Sequence, residues 1–249
     1  MCGFAAMHGL YGADRSPSAA HMLSFKPILA GANLSDRMIA AVGALVGIAL
    51  TAALCTAFLP HGPALLLVAP MGASAVLVFA VPASPLAQPW PVIGGNMLSA
   101  LVGIAVARVI PQPALAAGVA IGAAIALMSL TRSLHPPGGA ASLLAVLGGH
   151  AVQAQGWGFA LVPVAANAVV LALTGVLFHR LSGHSYPHRP VPAAGHAPPV
   201  LGVPHPEDID RALEDLGETF DVSRDDLDLL LTREQLARLP ALQRDFLER

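Results

Sequence analysis

The sequence predicts an all-α fold, a polytopic membrane helix bundle with two internal repeats. Three observations favour this class: long apolar stretches, almost no charge within them, and a pattern of prolines and glycines that recurs along the chain. Of the 249 residues, 55% are hydrophobic and 11% are charged. Ordinary soluble domains carry about 25% charged residues, so this chain has less than half the usual charge.

Charge is concentrated towards the two ends of the chain. Residues 38–179 contain no Asp or Glu, and their only Lys or Arg residues are Arg108 and Arg132. Thirteen of the fifteen acidic residues lie in 207–249. A surface in water needs charge on every exposed face, whereas a surface in lipid needs almost none. The distribution therefore predicts a transmembrane domain at 37–181 and an acidic tail behind it.

Composition argues against several functions. Two cysteines make no disulfide framework, and a net charge of −2 makes no basic surface for nucleic acid. The membrane region has no carboxylates for acid–base catalysis, and Lys26 is the only lysine, so no phosphate-binding loop with lysine is present. His184 and His188 lie four residues apart without a Cys or acid beside them. We therefore expect no enzyme activity, no cofactor, no metal and no secretory signal in the first residues.

Four stretches are long enough to cross the roughly 30 Å of hydrocarbon in a bilayer, namely 38–59, 91–110, 113–130 and 158–181. Two shorter apolar stretches, 64–81 and 136–149, are each broken by proline and glycine near their start. Those breaks free main-chain groups that lipid cannot satisfy.

The short stretches reveal the repeat. Shifted by 67 residues, Pro-Met-Gly-Ala at 70–73 falls on Pro-Gly-Gly-Ala at 137–140, and Gln-Pro-Trp at 88–90 falls on Gln-Gly-Trp at 155–157. Each unit is interpreted as a long helix, a Pro/Gly-broken short segment and a second long helix. Duplicated units with interrupted segments are typical of transporters.

Two topologies fit this pattern. If both short stretches are re-entrant, the chain crosses four times, and Arg37, Arg108, Arg180 and Arg189 share the cytoplasmic side. If both cross, there are six spans and inverted repeats, with Arg108 outside and Arg132 inside. Charge counting favours four crossings slightly. Both topologies predict a multi-pass protein of the cell inner membrane with cytoplasmic termini.

Three further segments flank the membrane domain. Residues 1–36 form a mixed N-terminal cytoplasmic segment, and 182–206 form a Pro/His-rich linker. Residues 207–249 place leucines at helical spacing among the acids, which predicts amphipathic cytoplasmic helices too small for a core of their own. We expect this tail to pack against something else, which could be a cytoplasmic partner.

Several blocks together resemble the HPP family of integral membrane proteins, which is named for the His-Pro-Pro found here at 135–137. The blocks are LHPPGGAA at 134–141, APMGASAVL at 69–77, PASPLAQPW at 82–90, GGN at 94–96, YPH at 186–188, FKP at 25–27 and DR at 36–37. The resemblance covers roughly 25–188.

The resemblance implies a bundle usually described as four membrane-spanning helices. Plant-plastid and cyanobacterial members of the family are associated with nitrite transport, and most bacterial members lack an assigned substrate. Many bacterial relatives continue into a pair of CBS domains that bind adenosyl ligands. Residues 207–249 resemble the connector before such a pair, so the chain resembles a bacterial member without that pair, by truncation or by nature.

The two Pro/Gly breaks predict the functional site. A helix N-terminus offers unpaired N–H groups and about half a positive charge, which suits an anion. Two such ends, related by the repeat, could face each other across a pore. The alternative is that the glycines only permit close helix packing. The candidate substrate-binding residues are Pro70, Gly72, Ala73, Ser74, Asn96, Arg132, His135, Pro137, Gly138, Gly139 and Ala140.

Some of these side chains have alternative interpretations. His135 could relay a proton, or could cap local main chain. Arg132 could attract an anion, or could extend to the interface. Asn96 and Asn167 should face the bundle interior as lining or helix-bridging groups, because an amide in lipid is costly.

The combined prediction is a transporter or channel for a small inorganic anion, with nitrite favoured by the resemblance, in a homo-oligomer embedded in lipid. The alternatives are a membrane-anchored signalling or scaffolding subunit that acts through its tail, and a channel for a neutral solute.

Overall fold

A computed structural model describes residues 33–58 and 67–188, with isolated positions between 209 and 230. No residue in this part of the chain lies in a strand. The α-helices of the membrane domain are α1 Leu34–Phe58, α2 Pro70–Ala80, α3 Asn96–Val109, α4 Pro113–Leu130, α5 Pro136–Leu147, α6 Gly149–Gln155 and α7 Ala166–Ser182. A 3-10 turn at Pro85–Ala87 and π-helical segments at Pro91–Gly95 and Ala160–Ala165 join them.

Four helical stretches are long and apolar enough to cross a membrane: Leu34–Phe58, Pro91–Val109, Pro113–Leu130 and Ala160–Ser182. The prediction of an all-α polytopic membrane bundle is confirmed. The repeat in the sequence remains a prediction, although the elements follow one another in the same order in both halves. The predicted N-terminal segment, most of the linker and most of the acidic tail lie outside the described residues.

Capping explains why α1 begins before the predicted apolar stretch at 38–59. The Asn33 carboxamide oxygen accepts from the Asp36 amide at 2.9 Å and from the Ser35 hydroxyl at 2.6 Å. This N-cap satisfies main chain that a helix start leaves unpaired, so the helix extends to Leu34. The hydropathy pattern does not predict this polar first turn of α1, because it marks only where the apolar residues begin.

The helices pack in two groups of three. Helices α1, α2 and α7 contact one another, and so do α3, α4 and α5. Each group therefore combines two helices of one half of the chain with the last helix of the other half. The halves cannot separate without breaking both groups.

The described bundle begins at Asn33 and ends at His188, and both ends lie on one face, which we call the terminal face. Arg37 near the start of α1 donates to the Ala80 carbonyl at the end of α2, at 3.2 Å. The amide of His188, just beyond α7, donates to the Gln88 side-chain oxygen at 2.8 Å. The far end of α1 meets the first part of α7, where the Asn167 amide nitrogen lies 3.1 Å from the Cys55 sulfur.

Helices α2 and α5 carry the chain between the two faces. Helix α1 ends on the opposite face, whereas Pro91 follows Gln88 on the terminal face, so α2 must run back between them. Helix α5 runs antiparallel to α2. The chain therefore runs through the bundle in six segments, whereas the number of membrane crossings, four or six, stays a prediction. At 1.5 Å per residue, α2 and α5 measure only about 17 and 18 Å, short of a full hydrocarbon core of roughly 30 Å.

Small residues allow the main chains to approach closely. A Cβ added at Gly103 on α3 would lie 2.4 Å from the Ser142 carbonyl oxygen on α5. Buried alanines at 116, 120 and 124 give α4 a similar flat face. Close packing of this kind is how helices associate in lipid, where the hydrophobic effect between helices is absent.

Gly103→Ala should lower the midpoint of thermal unfolding in detergent. The new methyl group must displace the Ser142 carbonyl, and overpacking of this kind costs roughly 1–3 kcal/mol. Gly118→Ala is the matched control, because a Cβ there meets nothing within 4 Å. An unchanged midpoint for Gly103→Ala would contradict the tight α3–α5 contact.

Candidate functional site

The N-terminal turns of α2 and α5 pass each other inside the bundle. Both helices begin at prolines, whose fixed φ and missing N–H suit a first helical position. Ser74, one turn into α2, contacts His135, the residue just before α5. Pro70 at the start of α2 lies beside the middle of α5. The start of α2 therefore lies along α5 well beyond the first turn of α5, since Leu143 and Leu147 line the same groove as Pro70.

Three buried polar side chains meet at this crossing: Ser74, Asn96 and His135, here called the crossing cluster. Each is fully buried, with 0% of its surface exposed. The Ser74 hydroxyl lies 2.8 Å from His135 Nε2, and the Asn96 amide nitrogen donates to that hydroxyl at 3.2 Å. The cluster joins α2, α3 and the start of α5 through side chains in a bundle whose remaining core is largely apolar.

Hydrogen-bond partners define the tautomer of His135. The Leu86 carbonyl lies 2.8 Å from His135 Nδ1 and can only accept, so Nδ1 carries the proton. In the neutral ring, Nε2 then accepts from the Ser74 hydroxyl. The hydroxyl also lies 3.2 Å from the Pro70 carbonyl, but it has one proton and the contact with His135 is shorter.

The crossing cluster retains unused hydrogen-bonding capacity. The Asn96 amide nitrogen also donates to the Val92 carbonyl at 2.8 Å, whereas the Asn96 side-chain oxygen is buried and has no hydrogen-bond partner in the described structure. The Ser99 hydroxyl, on the next turn of α3, is unpartnered as well. Unsatisfied buried polar atoms are uncommon in proteins, and a site that receives a polar ligand is one reason for them.

The predicted site residues separate into three groups. Six are buried: Pro70, Ser74, Asn96, His135, Pro137 and Gly138. Four are exposed to the surroundings of the bundle, namely Gly72, Ala73, Arg132 and Ala140, while Gly139 is partly buried. The buried group surrounds the crossing, and Arg132 lies at the terminal face with φ +53°.

The main-chain amides proposed as anion ligands already have some partners. The Gly72 amide donates to the Ala69 carbonyl at 3.0 Å, and the Gly138 amide donates to the His135 carbonyl at 2.8 Å. An anion bound by these amides would have to replace those contacts. The amide-built anion site therefore stays a prediction, and side chains provide the unused polar atoms at the crossing.

An apolar groove of about 350 Å³ opens beside the crossing. It runs between the first turn of α2 and the outer face of α5, with Pro70, Ala73 and Ala140 among its lining residues. No charged side chain lines it. The groove brings the surroundings of the bundle to within a turn of Ser74.

The loop that holds His135 is itself held by the segment after α7. The Tyr186 hydroxyl donates to the Ala87 carbonyl at 2.9 Å, next to the Leu86 carbonyl that orients His135. The Gln88 side chain adds a donated bond to the Ser84 carbonyl at 2.8 Å. Burial raises the pKa of the Tyr186 hydroxyl above its ordinary range. Tyr-Pro-His at 186–188 stands out in the sequence only as a family block, so this clamp was not predicted.

The side chain of Asn167 also faces the bundle interior, as predicted. Its side-chain oxygen accepts from the Val68 amide at 2.9 Å, just ahead of α2. Asn167 therefore bridges α7 to the break before α2, and Asn96 bridges α3 to α2. Within the described ranges, no three His, Cys, Asp or Glu side chains lie together in a way that could hold a metal ion.

A sequence profile of the HPP transmembrane region matches residues 30–187. The chain belongs to the HPP family. Two relatives of this HPP protein are both named transmembrane proteins and come from Dictyostelium discoideum. The first is 41% identical over 126 residues, covering 49% of this chain and 44% of the relative. The second is 37% identical over 114 residues, covering 44% and 36%.

The match thus spans less than half the length of these curated relatives. No solved structure matches the HPP protein.

Ser74→Ala should destabilise the HPP protein. It leaves His135 Nε2 without a donor and removes an acceptor from Asn96, and each unsatisfied buried group costs about 1–3 kcal/mol. Ser129→Ala is the control, because that hydroxyl is exposed and bonds only within α4. The midpoint of thermal unfolding in detergent should fall for the first variant alone. Equal midpoints would show that the crossing cluster does not hold the helices together.

Tyr186→Phe should lower stability at neutral pH by about 1 kcal/mol, the worth of one buried hydrogen bond. The pKa of the Tyr186 hydroxyl is higher in the folded protein than in the unfolded chain, where it is about 10. The hydroxyl therefore stabilises the fold fully below about pH 10, and this stabilisation is lost as the pH rises above that value. The wild-type midpoint should therefore fall more steeply than that of the variant above about pH 10. Parallel pH curves would contradict the buried hydroxyl.

Proposed function

We propose that this HPP protein is a transporter or channel for a small inorganic anion, with nitrite as the first substrate to test. The crossing cluster carries the proposal. It is a fully buried polar group with unused hydrogen-bonding capacity, placed where two proline-started short helices meet inside an apolar bundle. Polar groups within membrane segments are costly, and by default they mark a functional site.

The charge of the membrane region suits an anion. Residues 37–206 contain no Asp or Glu that could repel one. The donors of Ser74, Asn96 and His135 are all paired in the described state, so an oxyanion would have to replace some of those hydrogen bonds. The α2 and α5 N-terminal turns add positive main-chain dipole ends beside them. Nitrite is proposed because the chain resembles family members that are associated with nitrite transport. The crossing cluster is proposed as the site because its polar side chains are buried inside the bundle.

Opening is part of the proposal. In the described state the cluster is closed, and the groove at Pro70 and Ala73 ends beside it. A small movement of α2 against α5 would join the groove to Ser74. The loop at Pro85–Ala87, held by His135 on one side and Tyr186 on the other, would have to follow that movement.

A neutral solute is the second candidate, and one atom favours it. The Asn96 side-chain oxygen is a buried acceptor without a partner, so it suits a ligand that donates a hydrogen bond. Nitrous acid or another small N–H or O–H solute would do so, whereas a bare anion would not.

The test is nitrite flux into proteoliposomes that contain the full chain, at two pH values, with and without an imposed membrane potential. Flux into protein-free liposomes is subtracted, because nitrous acid crosses lipid unaided. The anion proposal predicts saturable flux that follows the potential. Flux that increases at low pH and ignores the potential would favour the neutral solute.

Variants connect the flux to the site. Ser74→Ala and His135→Ala should each lower saturable flux at least tenfold, which corresponds to about 1.4 kcal/mol in the barrier. Ser129→Ala, on the exposed side of α4, should leave flux unchanged. Flux of wild-type protein at the protein-free level, from a sample that unfolds cooperatively, would remove nitrite as a substrate.

A further inference from the structure

Among the residues that the structure describes, Arg108 is a cation without an acidic partner. It stands near the end of α3, roughly 25 Å from Pro91 at 1.5 Å per residue. Pro91 begins the helix beside Gln88, which binds His188 on the terminal face. Arg108 therefore lies at the opposite face, away from both described chain ends.

The sequence places no carboxylate close to Arg108 along the chain. No Asp or Glu occurs between Asp36 and Glu207, and Asp36 belongs to the first turn of α1 on the terminal face. In the part of the chain that the structure describes, the Arg108 guanidinium contacts an aromatic ring rather than a carboxylate.

That ring is Trp157. The Arg108 Cζ atom lies 4.6 Å from the centre of the indole ring, a cation–π contact that orients the guanidinium without neutralising it. Gly156, with φ +53°, lets the main chain pass close by, since a Cβ there would lie 2.8 Å from Arg108 Nη2. Gly156 is thus required for its backbone conformation, and a side chain there would displace the Arg108 guanidinium.

Arg108 also borders a cavity of about 170 Å³. Gln153 and Gly156 line it on one side, and Ile104 and Ala145 close it on the other. A water molecule occupies about 30 Å³ of liquid, so the cavity has room for a group of several atoms. A planar guanidinium with five donors binds oxyanions in a two-pronged geometry, and a side-chain amide can add a donor.

We infer that the cavity beside Arg108 and Trp157 is an oxyanion site that takes a phosphate-class group on the face opposite to the chain ends. The group neutralises Arg108, which has no carboxylate beside it in the described part of the chain. Its chemistry is the same whether it is the headgroup of an anionic lipid or a free anion from water. The site is distinct from the crossing cluster, since Arg108 and His135 lie towards opposite faces of the bundle.

The fluorescence emission of Trp157 can be used to measure binding at this site. The chain has two tryptophans, so Trp90→Phe leaves Trp157 as the sole indole fluorophore in the full-length protein. This protein is placed in nanodiscs of pure phosphatidylcholine and titrated with inorganic phosphate. A second set of nanodiscs contains equal parts of phosphatidylcholine and phosphatidylglycerol. Arg108→Gln removes the cation, and Arg180→Gln, an exposed arginine of α7 on the terminal face, is the matched control.

A saturable change in Trp157 emission with phosphate, with an affinity that falls at least tenfold in Arg108→Gln and is kept in Arg180→Gln, supports a site for a free oxyanion. Emission that ignores phosphate but differs between the two lipid compositions, with the difference lost only in Arg108→Gln, supports a headgroup site. Emission insensitive to both, or changed equally in both variants, overturns the inference.

Two further variants keep the test informative if Arg108→Gln does not fold. Arg108→Lys keeps the charge but loses the planar fork, so binding should weaken without vanishing. Gly156→Ala crowds Nη2 and should weaken binding while the charge stays. Binding unaffected by both variants would also overturn the inference. The assay measures binding rather than flux, so its outcome is separate from the outcome of the transport test.

Discussion

The structure depends on one constraint: in a lipid environment, main-chain polar groups must find partners inside the protein. Two helices that begin at prolines within the bundle leave such groups exposed at their first turns. Main-chain carbonyls just ahead of each helix accept from some of those groups, and side chains hold the segments beside the breaks. Asn167 accepts from the Val68 amide before α2, and His135 donates to the Leu86 carbonyl in the loop that follows α2. Without these polar side chains, the two breaks would be unstable in lipid.

The same requirement explains the exchange of helices between the halves. Helix α7, from the second half, brings Asn167 to the break before α2, and α3, from the first half, packs along α5. Each short helix is thus supported by a long helix from the other half. An opening movement at the crossing would shift both groups of helices, because α2 and α5 are each shared between the crossing and one group.

Hydropathy and charge were sufficient to predict the fold class, since lipid-facing residues must be apolar whatever their detailed packing. Proline and glycine also marked the starts of α2 and α5. Ser74, Asn96 and His135 could be selected from the sequence as candidate site residues. Their contact with one another could not be predicted, because it depends on how far two helices overlap in the folded bundle. No local pattern encodes a contact between residues 61 positions apart.

Other features had weaker signals. The segment before α7 is kinked at Val162, whose backbone is extended just ahead of Pro163, and hydropathy does not distinguish such a kink from ordinary helix. The Tyr186 clamp follows a chain reversal after Gly183, whose φ of +83° ends α7. In the sequence, Arg108 served only in the charge count for the topology. Its position beside Trp157 depends on the turn at Gly156, and this glycine belongs to the Gln-Gly-Trp element of the repeat.

The most direct test of the account is whether water reaches the crossing cluster. Ser74→Cys, Ser142→Cys and Ala140→Cys would each be made in protein with Cys2 and Cys55 replaced, and treated in proteoliposomes with a membrane-impermeant thiol reagent. Ser74 and Ser142 are equally buried, whereas Ala140 is exposed on the groove. The account predicts that the cysteine at 74 reacts and is protected by nitrite, while the one at 142, inside the α3–α5 contact, stays inert. Equal inertness at 74 and 142, with reaction at 140, would show that the crossing is a sealed structural joint and would contradict the account.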